Sequence, residues 1–81
     1  MPRTLGSARH ARLAELLIRH REEAGLTQAE VAKRLGRHQP FVSGIEAGQR
    51  RVDVVELLDL AVAIGFDLHV LIAAIASTPR G

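Results

Sequence analysis

A chain of 81 residues, 47% of them apolar and 25% charged, has material for one small domain and too little for most multi-domain enzymes. With no cysteine, disulfide scaffolds, thiolate zinc sites and cysteine nucleophiles are all excluded, and with two Phe and neither Trp nor Tyr the apolar supply is aliphatic, which a compact helical core fits. The net charge of +2 hides an asymmetry: residues 1–51 carry ten Arg or Lys against five acids, residues 52–81 one against four, and a basic front half suits a polyanionic partner.

Strand alternation is absent, so helices are expected from end to end. Ser7 is placed to cap a first helix, from Ala8 to about Ala24, in which Leu13, Leu16, Leu17 and Ala24 share a face and Gly25 supplies the stop. Thr27 and Glu30 have the spacing of a capping box, with Leu26 able to staple to Val31, which starts a second helix at Gln28. That helix ends after two turns at Gly36. Pro40 is tolerated only in the first turn of a helix, so a third helix begins at Gln39, carries a buried stripe of Val42 and Ile45, and runs to Ala47 before Gly48.

Asp53 and Glu56 form a second capping box, and Leu57, Leu60, Ala61 and Ile64 continue at helical spacing to Gly65, giving a fourth helix from Val54 to Ile64. Asp67 caps a fifth. Its inward face is read as Leu68, Leu71, Ile72 and Ile75, with Val70, Ala73 and Ala74 opposite, so that it has apolar surface on both sides, as a helix buried on both faces or a dimer-forming helix does. Residues 1–7 lack the apolar centre of a secretion signal, and the longest unbroken apolar run, Val70 to Ala76, is far shorter than the roughly 20 residues that span a bilayer. A soluble, cytoplasmic chain is expected.

Two short helices joined at Gly36, apolar at Val31, Ala32, Leu35, Val42 and Ile45, describe a helix-turn-helix. The run from Thr27 to Gly36, followed by Phe41-Val42-Ser43-Gly44-Ile45-Glu46-Ala47-Gly48, resembles the Xre family of lambda-repressor-like (Cro/cI-type) DNA-binding domains over about Leu13 to Leu71. The resemblance rests on the Thr-Gln opening, small Ala32, Gly36 in the turn and the Ser-x-Ile-Glu-x-Gly close, in register. It implies an all-α fold of five helices, with the helix-turn-helix at helices two and three, as a single domain over 1–81 with its core at about 8–76. It also implies that the helix beginning at Gln39 enters the DNA major groove while the preceding helix crosses the backbone.

The residue chemistry agrees. Gln39 can donate and accept together, which suits an adenine edge; His38 and Ser43 can hydrogen-bond base or phosphate; Gln28 offers its amide and a helix N-terminus to a phosphate oxygen. Lys33, Arg34, Arg37, Arg50 and Arg51, against the single acid Glu46, leave +4 between residues 33 and 51. The chain departs from the family pattern at Pro40 and Gly44, where base-reading side chains are common, so readout is expected to lean on Gln39, His38, contact of Phe41 with thymine methyls, and DNA shape. Close backbone approach to DNA is one reason for Gly44, and neutral drift is another. In the family, the acid matching Glu46 pairs with a basic residue near the end of helix one, here Arg21.

Solvated arginines are commoner than gripping ones, and Arg34, Arg37, Arg50 and Arg51 carry that ordinary reading beside the DNA-contact one. His10, His20 and His69 lack ligand-like spacing, so no metal or cofactor is expected, and Ser7, Ser43 and Ser77 have no base partner that would make an enzyme. The resulting expectation is a repressor acting as a homodimer on a two-fold operator in double-stranded DNA. The alternative is the antitoxin of a toxin-antitoxin module that regulates its own operon and has a toxin partner.

Overall fold

Four of the five helices in the computed structural model, which describes residues 7–80, begin where a side-chain oxygen of Ser7, Thr27, Asp53 or Asp67 accepts a backbone N–H of the first turn. Thr27 with Glu30 and Asp53 with Glu56 close reciprocal capping boxes, each satisfying two otherwise orphaned donors. The order is α1 (Ala8–Glu23), α2 (Gln28–Leu35), α3 (Gln39–Glu46), α4 (Val54–Ile64) and α5 (Leu68–Ala76), with no strand among the described residues. His38 stands at the N-cap of α3 without a side-chain cap bond, and the fixed backbone of Pro40 helps to start the helix instead. α1 and α3 each stop one residue earlier than their sequence pattern suggests, with Ala24 and Ala47 as C-caps.

The turn between α2 and α3 depends on Gly36, whose φ of 68° lies in the left-handed region. There its N–H reaches Lys33 O at 3.1 Å and the next N–H, of Arg37, reaches Ala32 O at 2.9 Å. This pattern satisfies the last carbonyls of α2 and turns the chain into α3 within three residues. A side chain at that φ would be strained.

All five helices contribute to one core: Leu16 and Leu17 from α1, Val31 and Ala32 from α2, Val42 and Ile45 from α3, Leu57, Leu60 and Ile64 from α4, and Leu71 from α5. α2 lies against α3 and α4, while α1 packs on α3 and α5. The interhelix contacts correct three assignments read from the sequence. Ile72, expected inside, is 48% exposed, because α5 meets the core through Leu68, Leu71, Ala74 and Ile75. Ala74, expected outside, is half-buried for the same reason, and Ala24, expected on the inner face of α1, is exposed at the helix end. α1 instead buries Ala14 and His10, and His10 Nε2 lies buried with no hydrogen-bond partner among the described residues.

Candidate nucleic-acid interface

The head of α3 is organised by a carboxylate near its own C-terminus. Glu46 accepts from Arg21 through both oxygens, with Nε at 2.6 Å and Nη2 at 3.0 Å, and Arg21 also donates from Nη1 to Leu26 O at 2.9 Å. The pair is well shielded, with 8% of the Glu46 side chain and 15% of the Arg21 side chain exposed. The hydrogen bond to Glu46, opposed by burial, raises the Arg21 guanidinium above its ordinary value.

Glu46 Oε1 also accepts from Gln28 Nε2 at 2.8 Å, and because a carboxylate can only accept, the amide nitrogen of Gln28 must be the atom that faces it. Gln28 Oε1 is then left to accept from Gln39 Nε2 at 3.2 Å. The orientation of Gln39, at the first position of α3, is thereby set through two amides and a carboxylate anchored by α1. Its carbonyl oxygen and second amide hydrogen remain for another partner. His38 and Pro40 are exposed on either side, while half-buried Ser43 turns its hydroxyl back toward Pro40 O at 3.4 Å.

A second cluster holds the flank of α3 to the start of α4. Two guanidiniums lie over the Phe41 ring, with the central carbon of Arg37 4.2 Å and that of Arg50 4.3 Å from its centroid. Both arginines face Glu56. Arg50 donates to its two oxygens at 3.1 and 3.0 Å, and Arg37 Nη2 stands 3.5 Å from Oε2. The bond from Arg50, with further contributions from the Asp53 backbone and Arg37, holds the Glu56 carboxyl below the usual glutamate value, and the same bond raises Arg50.

The candidate DNA-contact residues therefore occupy different settings. Gln28 and Gln39 share one network. Arg37, Phe41 and Arg50 share another, in which two guanidiniums already lie over the half-buried Phe41 ring and leave less of it for a thymine methyl. Arg51 is exposed beyond that cluster, with its backbone carbonyl held by Arg50 Nη1 at 2.7 Å. Gly44 is half-buried, and a Cβ there would lie 3.6 Å from Arg50 Cβ, an ordinary contact, so packing does not demand glycine. Arg34 turns away from α3 and donates to Ala63 O at 2.8 Å.

Glu56 is the residue that sequence reading missed. As the third residue of a capping box its local role was plain, and nothing local showed that its carboxylate also reaches back to Arg50 and Arg37. A charge count that stops at residue 51 leaves out the acid that offsets two of its cations.

A model of the helix-turn-helix domain family matches residues 12–74. The chain belongs to the XRE family of helix-turn-helix transcriptional regulators. It is 41% identical over 63 residues, 78% of this chain and 82% of the relative, to the uncharacterized HTH-type transcriptional regulator y4dJ of Sinorhizobium fredii. An XRE-family like protein from Pseudomonas syringae pv. tomato superposes with a TM-score of 0.81 at 46% identity, covering 89% of each chain. The restriction-modification controller protein C.AhdI from Aeromonas hydrophila gives a TM-score of 0.73 at 33% identity, covering 79% of this chain and 93% of that one. In this XRE-family chain α2 and α3 are the helix-turn-helix, and the glutamine network sits at the head of its second helix.

Proposed function

We propose that this XRE-family chain is a sequence-specific repressor that binds a two-fold DNA operator as a homodimer, with α3 in the major groove. The observation that carries the reading is the orientation of Gln39 by Gln28 and Glu46. An amide that keeps one acceptor and one donor, in a fixed sense, at the first position of a recognition helix matches the N6 and N7 edge of adenine. His38 reads or grips beside it, and Ser43 and Gly44 bring the helix backbone close to the groove. Phosphates are met by the N-terminus of α2 at Gln28 and by Arg51, whose exposed side chain lies beyond the Glu56 cluster. Repression then needs only that the bound protein occupy a promoter. No catalytic step is assigned, and among the described residues no cluster of His or carboxylate groups is placed to hold a metal.

Gln39→Ala is expected to lose about 1 to 3 kcal/mol per half-site on a selected operator and almost nothing on a scrambled duplex. Arg51→Ala is expected to weaken both duplexes alike and to lower the slope of log affinity against log salt by about one ion per subunit. Titrating the two variants on the two duplexes across a salt series decides this. Equal loss on both duplexes for Gln39→Ala takes α3 out of the groove.

The dimer is supported by apolar surface that the fold leaves uncovered. The sequence pointed to α5, where Val70 is 61% exposed, but the larger surplus is on α4, where Val54, Leu58 and Val62 recur every fourth residue and Val62 is 85% exposed. A row of apolar side chains this long is costly to leave in water. Because Val62 takes no part in the core, Val62→Glu is expected to remain folded and to convert a dimer into a monomer in light scattering. A wild-type mass of one chain at tens of micromolar rejects the dimer.

A further inference from the structure

Arg37 and Arg50 flank α3 in sequence, one before its first residue and the other beyond its last, and both fold onto the same aromatic ring. Glu56 makes this possible. Its position is pinned by the capping box, with Glu56 N–H donating to Asp53 Oδ1 at 2.7 Å and Asp53 N–H donating to Glu56 Oε1 at 3.1 Å, so its oxygens stand at a fixed place beside Phe41. The carboxylate is shielded, 13% exposed as a side chain, whereas Arg37 and Arg50 are 47% and 38% exposed. Two cations at the border of the recognition helix are thus each half in solvent and tethered to one anion.

Resting on the DNA-binding reading above, we propose that Glu56 is a specificity-determining positioning residue, which withholds Arg37 and Arg50 from phosphates and so suppresses binding to non-operator DNA. Non-specific affinity comes almost entirely from cations that displace counterions, with each neutralised phosphate adding about 0.9 to the salt slope. Two long, mobile arginines beside the groove would grip any sequence. Held over Phe41 and paired with a carboxylate, they must first give up that anion and the ring, and the exchange brings little gain. Base contacts by Gln39 do not depend on it. Glu56 therefore leaves operator binding intact while lowering the background, and it does so from α4, outside the helix-turn-helix.

The test is fluorescence anisotropy on a selected operator and on a random-sequence duplex across a salt series, for the full chain and for Glu56→Gln, Glu56→Asp and Glu56→Gln combined with Arg37→Gln and Arg50→Gln. On random DNA, Glu56→Gln is expected to bind more tightly than wild type, with a slope steeper by up to about two ions per subunit. Glu56→Asp, which keeps the charge, is expected to keep the wild-type slope, and the triple variant to return to it. A purely structural role would move the melting temperature and leave the slope alone. An unchanged or shallower slope in folded Glu56→Gln overturns the proposal. If Glu56→Gln does not fold, the single variants Arg37→Gln and Arg50→Gln carry the test: both keep the wild-type slope if the cations are withheld, and a drop of about one ion in either overturns it. Absence of salt-dependent DNA binding by the wild-type chain overturns the DNA-binding reading itself, whereas wild-type binding with an unaltered slope in Glu56→Gln overturns this proposal alone.

Discussion

Glu46 and Glu56 stand ten residues apart and do superficially the same thing, each holding two basic or amide side chains against α3. They differ in what surrounds them. The partner of Glu46 is Arg21, 15% exposed, and the pair closes the interior between α1 and α3. The partners of Glu56 are 47% and 38% exposed and lie on the outer rim. In the first case solvent cannot replace a missing partner, so the ion pair is part of the fold; in the second it can, so the pair adjusts where surface charge sits. Burial, more than bond length, decides which kind of carboxylate each one is.

The largest expected effect follows from removing the shielded anion. Glu46→Ala leaves Arg21 without its bidentate partner and Gln28 without its acceptor, at an expected cost of about 3 to 5 kcal/mol in stability. Urea denaturation monitored by far-UV circular dichroism measures it. A loss within about 1 kcal/mol would mean that water reaches Arg21 in the variant, and the contrast between the two carboxylates would vanish. Gln39 would lose its orientation in the same variant, so operator recognition is expected to fail even where the chain remains folded.

The two clusters also differ in how much the sequence disclosed. Helix starts were legible because Ser7, Thr27, Asp53 and Asp67 act on N–H groups two or three residues away, and the turn was legible because Gly36 has a conformation that other residues avoid. Arg21 and Glu46, 25 residues apart, came from family resemblance and not from spacing. The Gln28 to Gln39 contact and the Arg37, Phe41, Arg50 and Glu56 cluster were out of reach, since they depend on how α2, α3 and α4 cross. The faces of α5 failed for a related reason: in Leu68–Ala76 every residue but His69 is apolar, so periodicity alone could not choose between Ile72 and Ala74.

The smallest effect concerns acid. Glu56 titrates below the usual glutamate value in the folded chain because Arg50 and the Asp53 backbone favour its charged form. A group whose folded pKa is depressed contributes stability that is fully present above the unfolded pKa and is lost as pH falls through the folded one. With partners this exposed, the contribution is expected to be about 1 kcal/mol or less. Wild type and Glu56→Gln should therefore differ by a small, constant amount from neutral pH down to the ordinary glutamate range and converge only below it. Comparing the two chains in urea melts at successive pH values cancels the other carboxylates, including Glu30, which its capping bonds with Thr27 also hold low. A gap that stays constant into strong acid would show that Gln costs stability through shape or lost capping and not through lost charge, and Glu56 would then be a cap like any other, with Arg37 and Arg50 beside it by coincidence of packing.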